Sequence, residues 1–322
     1  MTITDSKYTE VIHAVEAGFA KHPKRLPSWL FYDEAGDKIF QAIMHMPEYY
    51  LTSCEYEILQ SNKDKLYQYF SKHDDAFDLI ELGAGDGLKT EIILRHFQDR
   101  KAAFRYMPID VSATVLSSLT HRLADILPKL VVHPVNNRYD EALRTLYNDD
   151  VNRKVFLFLG ANIGNFDPHE AENFVSMIAS RMRQGDQLLI GFDLKKDPRL
   201  IQAAYDDPHG ITRQFNMNLL IRLNRELGAT FIPDQFRHYP CYDPETGMTK
   251  SYLVSLRAQD VYIAALQTSV HFDRWEVIHT EVSQKYDIPM IETIAAASEL
   301  EIVDFLYDCK HYFCDVLFKK KN

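Results

Sequence analysis

The chain has 322 residues, 46% of them hydrophobic, enough to bury one large domain or a main domain with a smaller one. A formal net charge of −10 excludes a general binder of nucleic acid or anionic membrane, because both need a basic surface against phosphate. No apolar run approaches the roughly 20 residues that cross a bilayer, and the start MTITDSKYTEVIHAVE lacks the pattern of a secretory leader.

The four cysteines and thirteen histidines show no metal-ligand spacing, so reduced thiols, a cytoplasmic location and no bound metal are expected. In chain order, GDKIFQAIMHM at 36–46 places Ile39, Phe40, Ile43 and Met46 on one helical face, and Pro47 ends it. TSCE at 52–55 reads as a capping box, Thr52 capping and Glu55 reaching back, that opens a helix to about Phe70. The pattern then changes. FDLIELG (77–83), RYMPIDVS (105–112), KLVVHPV (129–135), KVFLFLG (154–160) and QLLIGFDL (187–194) read as strands. Helices are expected over 88–98, over 113–127 and after Asp167, where Pro168 and Glu170 complete a capped start. This alternation predicts a doubly wound, Rossmann-like α/β core. Residues 195–285 break it with a helix (QFNMNLLIRLNREL) and strands joined by a PETG turn, an insertion that reads as a smaller α+β lobe. One more helix (PMIETIAAASEL) and two strands (IVDFLYD, YFCDVLFKK) return to the core.

The loop ELGAGDGLKT (81–90) nearly matches two phosphate-binding patterns. A P-loop needs lysine directly after its last glycine, but Leu88 separates Gly87 from Lys89. The dinucleotide fingerprint needs a third glycine where Leu88 stands. What remains is Glu81, Gly83, Gly85 and Gly87 in the order E-x-G-x-G-x-G, which resembles the first motif of class I S-adenosylmethionine (SAM) methyltransferases. Asp110, at the end of the next strand, is placed to accept hydrogen bonds from a ribose. The polar loop GANIGNFDP (160–168) follows the fourth strand, where ligands gather in such folds, and Asn162 and Asn165 are candidates to bind a polar substrate.

Several longer segments resemble the histidine Nα-methyltransferases of ergothioneine biosynthesis. They are LFYDEAGDKIFQAIMHMPEYYLTSCEYEIL (30–59), ELGAGDGLKT, PIDVS, FLGANIGNFDP, DLKKDPRLIQAAYDDPHGITRQFNMNLLIRLNREL (193–227) and TEVSQKY (280–286). The resemblance implies a methyltransferase core over 61–194 and 286–322 and a substrate-binding domain over 1–60 and 195–285. It implies that Tyr32, Gly83, Gly85, Lys89, Asp110, Asn136 and Asn137 contact SAM. Asn137 stands where the family carries an acid on the adenine side. By the same carry-over, Tyr49, Asn165 and Tyr205 hold the amino and carboxylate groups of an amino acid, and Glu281 and Ser283 hydrogen-bond an imidazole. Tyr49 is the catalytic candidate, orienting the amine lone pair. One departure concerns specificity: Ser251 stands where the histidine enzymes carry methionine. The expected function is SAM-dependent Nα-methylation of L-histidine to its trimethylated betaine by a monomer. The alternative is the same chemistry on another amino acid or amine, such as a tryptophan derivative.

Overall fold

The computed structural model describes residues 5–71, 75–146 and 152–321. The first four residues of the N-terminal stretch MTITDSKYTEVIHAVE, which reads as lacking a leader pattern, lie outside them. The chain divides into two compact units, Met1–Tyr50 with Lys196–Gln284, and Leu51–Lys195 with Lys285–Asn322. Residues 51–60, expected with the substrate domain, group with the second unit, and the remaining bounds move by one residue each.

The second unit is built on one large sheet. Its main strands are β1 (Phe77–Leu82), β2 (Phe104–Asp110), β3 (Arg153–Phe158), β4 (Gln187–Asp193), β5 (Leu300–Tyr307) and β6 (Phe313–Lys320). They lie in the order β5-β6-β4-β3-β1-β2, β1 to β4 running parallel and β6 antiparallel between β4 and β5. All six β1 residues are buried, as a strand with helices on both faces requires. Beyond β2 the expected third strand is split into Val131–Val132 and Val135–Asn136, each parallel to β2. Pro134 between them has no N–H for the ladder, while His133 donates its own to the Tyr106 carbonyl at 2.8 Å. The helices Thr90–Asp99, Ala113–Ile126 and Pro168–Arg181 stand where the sequence placed them. Asp167 starts the last of these in a capping box, its N–H donating to Glu170 Oε2 at 3.0 Å. Leu82, Phe156, Phe158, Val175, Ile190 and Val316 are among the core that fills this unit. The strand order reverses between β1 and β3, which opens the crevice where such sheets bind ligands at the carboxyl ends of their strands.

In the first unit four strands pair in the order Lys24–Arg25, Val277–Gln284, Met248–Ser255 and Phe236–Asp243. The helix Ile211–Leu227 supplies Phe215, Leu219 and Leu223 to a core shared with Phe31, Ile43, Leu253 and Ile278. Its cap is Gly210, at φ 70, and Asp207 accepts the N–H groups of Ile211 (2.9 Å) and Thr212 (2.8 Å) at its first turn. The helix read over 36–46 runs from Glu34 to Met44 behind an Asp33 cap. Among the described residues no helix is long and apolar enough to cross a membrane.

Candidate active site

The glycine loop leaves β1 at the switch point. Gly83, Gly85 and Gly87 all have positive φ, at 72, 54 and 63°, a region that side chains rarely tolerate. A Cβ on Gly83 would lie 2.6 Å from the Tyr139 hydroxyl and one on Gly87 2.6 Å from Leu119, so both positions are closed to larger residues. Gly85 differs: a Cβ there would meet nothing within 4 Å, so the loop turns open backbone toward free space. Asp110, at the end of β2, braces the loop by accepting the Gly85 N–H at 3.2 Å through Oδ2 and the Ser112 N–H at 2.9 Å through Oδ1. A carboxylate has about four acceptor sites, so Asp110 keeps capacity for ribose hydroxyls. Asn136 donates to the Asp110 carbonyl at 2.9 Å, and the Asn137 oxygen accepts the next N–H, that of Arg138, at 2.8 Å. Open backbone, an adjacent acid and a lysine at the following helix start suit a cofactor that joins a nucleoside to an amino acid.

Beneath the loop, Glu81 is buried and accepts hydrogen bonds from the hydroxyls of Thr90 (2.6 Å) and Tyr106. Burial pushes its pKa from 4.5 up to about 7 against the pull of those hydroxyls and of Lys89. The folded protein therefore holds a proton that the unfolded chain releases. The stabilisation present below pH 4.5 is lost as pH rises through about 7. In Glu81→Gln this loss is absent, so the variant's stability relative to the parent should climb by about 2.5 kcal/mol between pH 5 and 8. Denaturant titrations at both pH values read it, and an unchanged difference would refute the assignment.

Lys89 caps the helix Thr90–Asp99, and its ammonium is paired with Glu55. Burial alone would lower the lysine pKa, but the Glu55 carboxylate holds it above its ordinary value. Glu55 is fully buried and also accepts the Gly160 N–H, at 2.7 and 3.0 Å to its two oxygens. It therefore ties together the loops that follow β1 and β3. This corrects the expected capping box: the helix runs from Tyr50 to Phe70, Thr52 lies inside it, and Glu55 faces the core. A Cβ on Gly191 of β4 would lie 2.3 Å from Glu55, so a glycine makes room for this carboxylate. Asp315, opposite Gly191 on β6, is buried with no partner for either oxygen among the described residues. Burial and the Glu55 charge push its pKa well up, against the pull of Lys89. Glu55 and Asp315 had no sequence signal as site residues, because their burial depends on strands more than a hundred residues away in the chain.

The amine-side candidates fall mainly in the first unit. Tyr205 is buried and its hydroxyl donates to Ser283 Oγ at 2.7 Å. Tyr49 and Tyr50 pack against the small cluster of Ile201, Ala204 and Tyr205, and the Tyr49 ring meets Phe40 edge-on at 6.3 Å. Ser251 and Glu281 are direct cross-strand partners, and Ser251 donates to Glu281 Oε2 at 3.3 Å. The residue that departs from the family pattern thus holds the carboxylate. Tyr32 also belongs to this unit, 40% exposed, with its ring edge-on to Phe40 and Phe215 at 5.6 and 5.7 Å. Asn165 belongs to the second unit and is exposed at the end of a short 3-10 turn, Asn162–Asn165. Asn162 is turned back on its own loop, donating to the Leu159 carbonyl at 2.8 Å. Among the described residues one group, Glu57, Asp308 and Cys309, brings three metal-ligand atoms within 4.8 Å. There Glu57 accepts the Cys309 N–H at 2.9 Å and its thiol at 3.5 Å, which ties the helix Tyr50–Phe70 to the turn between β5 and β6.

Sheet order, glycine loop and strand-end acid define a SAM-dependent methyltransferase of the doubly wound class. Residues 11–320 match the family model described as histidine-specific, SAM-dependent methyltransferase, and the chain belongs to that family. It is 34% identical over 304 residues to a histidine N-alpha-methyltransferase of Mycobacterium tuberculosis, covering 94% of this chain and 93% of that one. A second enzyme of that name, from Mycolicibacterium smegmatis, is 36% identical over 282 residues, covering 88% and 86%. Ergothioneine biosynthesis protein 1 of Schizosaccharomyces pombe is 32% identical over 235 residues, covering 71% of this chain and 30% of that longer protein.

Proposed function

We propose that the protein transfers methyl groups from SAM to the α-amino group of L-histidine, giving the trimethylated betaine that leads to ergothioneine. When bound, SAM supplies a methyl group already activated on a sulfonium. The protein is left to hold a neutral amine in line with that bond, which is a problem of orientation rather than of acid–base power. On this reading Gly83, Gly85, Lys89 and Asp110 hold the cofactor, with Tyr32, Asn136 and Asn137 completing its contacts. Tyr49 and Asn165 orient the amine as its proton passes to water, and Tyr205 serves the carboxylate. Glu281 and Ser283 read the imidazole N–H.

The observation that carries the substrate reading is the Ser251–Glu281 pair. The buried Ser251 hydroxyl fixes the direction of the Glu281 carboxylate, and a directed carboxylate discriminates between a ring that carries an N–H and one that does not. The small Ser251 side chain also gives specific weight to a larger ring, such as an indole, as the second reading. Calorimetry of the twenty amino acids with S-adenosylhomocysteine present decides between them. Histidine is expected to bind most tightly. Tighter binding of tryptophan, with histidine silent, would reverse the assignment.

A further inference from the structure

Glu281 points where it does because of one extra residue. In the strand Val277–Gln284 the pairing with Met248–Ser255 runs Ile278 to Leu253 and His279 to Tyr252, then skips Thr280 and resumes with Glu281 to Ser251 and Ser283 to Thr249. Paired residues share a face of the sheet and side chains alternate along a strand, so a one-residue shift exchanges faces. Without the bulge, Glu281 would oppose Lys250 and stand on the face of Tyr252 and His279. With it, Glu281 and Ser283 stand on the face of Ser251, Leu253 and Ile278, the face on which Tyr205 reaches Ser283.

The bulge is held from outside the strand. The Thr280 hydroxyl lies 3.0 Å from both Asn216 Oδ1 and the Ser251 carbonyl, so its one hydrogen sits between two acceptors. Asn216 is fully buried in the helix Ile211–Leu227, and its Nδ2 donates to the Thr212 carbonyl at 3.2 Å, which fixes its amide. Thr280 is 1% exposed, so neither group has water to fall back on. On the strand's far side His279 Nε2 lies 2.9 Å from the Glu281 carbonyl and fastens the residue after the bulge. Bulges that re-aim a side chain are characteristic of sheets next to active sites.

We infer that Asn216 and Thr280 are positioning residues for substrate specificity, pinning the bulge that turns Glu281 and Ser283 to the substrate's ring. The inference rests on the histidine reading above and adds to it residues that never touch the ligand. It also accounts for Asn216, the first asparagine of QFNMN, which stands in a helix interior where asparagine has no propensity advantage.

The test compares Thr280→Val, which keeps shape but loses the hydroxyl, with Thr280→Ser, which keeps the hydroxyl. Calorimetry with S-adenosylhomocysteine present measures histidine and its ring analogue 3-(2-thienyl)alanine, which has no ring N–H. In Thr280→Val the preference for histidine over the analogue should fall about tenfold or more, the size of one lost ring hydrogen bond. S-adenosylhomocysteine affinity should stay within about twofold, and Thr280→Ser should restore the preference. A Thr280→Val protein that weakens for both amino acids equally, or keeps the parent's preference, would overturn the inference. If the parent itself fails to bind histidine, the substrate reading falls and takes the inference with it. Should Thr280→Val not fold, Thr280→Ala in the same assay serves, since it also removes the hydroxyl and should lower the preference likewise; an unchanged preference would refute the pin.

Discussion

Glu281→Ala should weaken L-histidine binding about ten- to a hundredfold while leaving S-adenosylhomocysteine within about twofold. The size follows from the bond removed, since a hydrogen bond to a charged group contributes about 1.5–3 kcal/mol, roughly one to two decades in affinity. The asymmetry follows from placement: Glu281 sits in the first unit beside Ser251, whereas the glycine loop, Asp110 and Lys89 are all in the second. Calorimetry of both ligands on the same preparation measures it. Equal losses for the two would mean that Glu281 supports the fold rather than reading the ring. The turnover profile should agree, with KM for histidine rising more than kcat falls, because the residue holds the ring and not the reacting nitrogen.

Glu55→Ala should be strongly damaging to the second unit, costing about 3–5 kcal/mol in denaturant titrations. It strips the partner from a lysine held next to the glycine loop and orphans the Gly160 N–H. Glu55→Gln should cost less, because its amide oxygen still accepts from Gly160. Both variants should bind S-adenosylhomocysteine more weakly, since Lys89 and the loop after β3 lose their common anchor. A Glu55→Ala protein with the parent's midpoint would show that the pair contributes nothing and that Lys89 is held some other way.

The parts of this molecule legible in the sequence are those whose cause is local. Alternating apolar strands and capped helices mark the core, because burial on both faces leaves an unbroken run such as KVFLFLG. The glycine loop is legible because three positive-φ residues in five positions admit little else. Glu55 was not, since TSCE carries a genuine local capping pattern and only the approach of Gly160, Lys89 and Gly191 shows the acid to be core. The split third strand follows from Pro134, whose effect depends on a neighbour offering N–H acceptors. The bulge at Thr280 is invisible in TEVSQKY, because register there is set by Asn216, 64 residues earlier. Ser251 reads as a departure from the family pattern that concerns specificity, and in the fold it donates to Glu281.

One measurement bears directly on the central claim. Purified protein, SAM and L-histidine labelled with ¹⁵N at the α-amino group are incubated together, and the product is read by mass and by nitrogen NMR. The account predicts successive 14-Da additions that end at the trimethylated species, every methyl group attached to the labelled nitrogen. Methyl groups on the imidazole ring, or no addition to histidine while another amine is methylated under the same conditions, would contradict it.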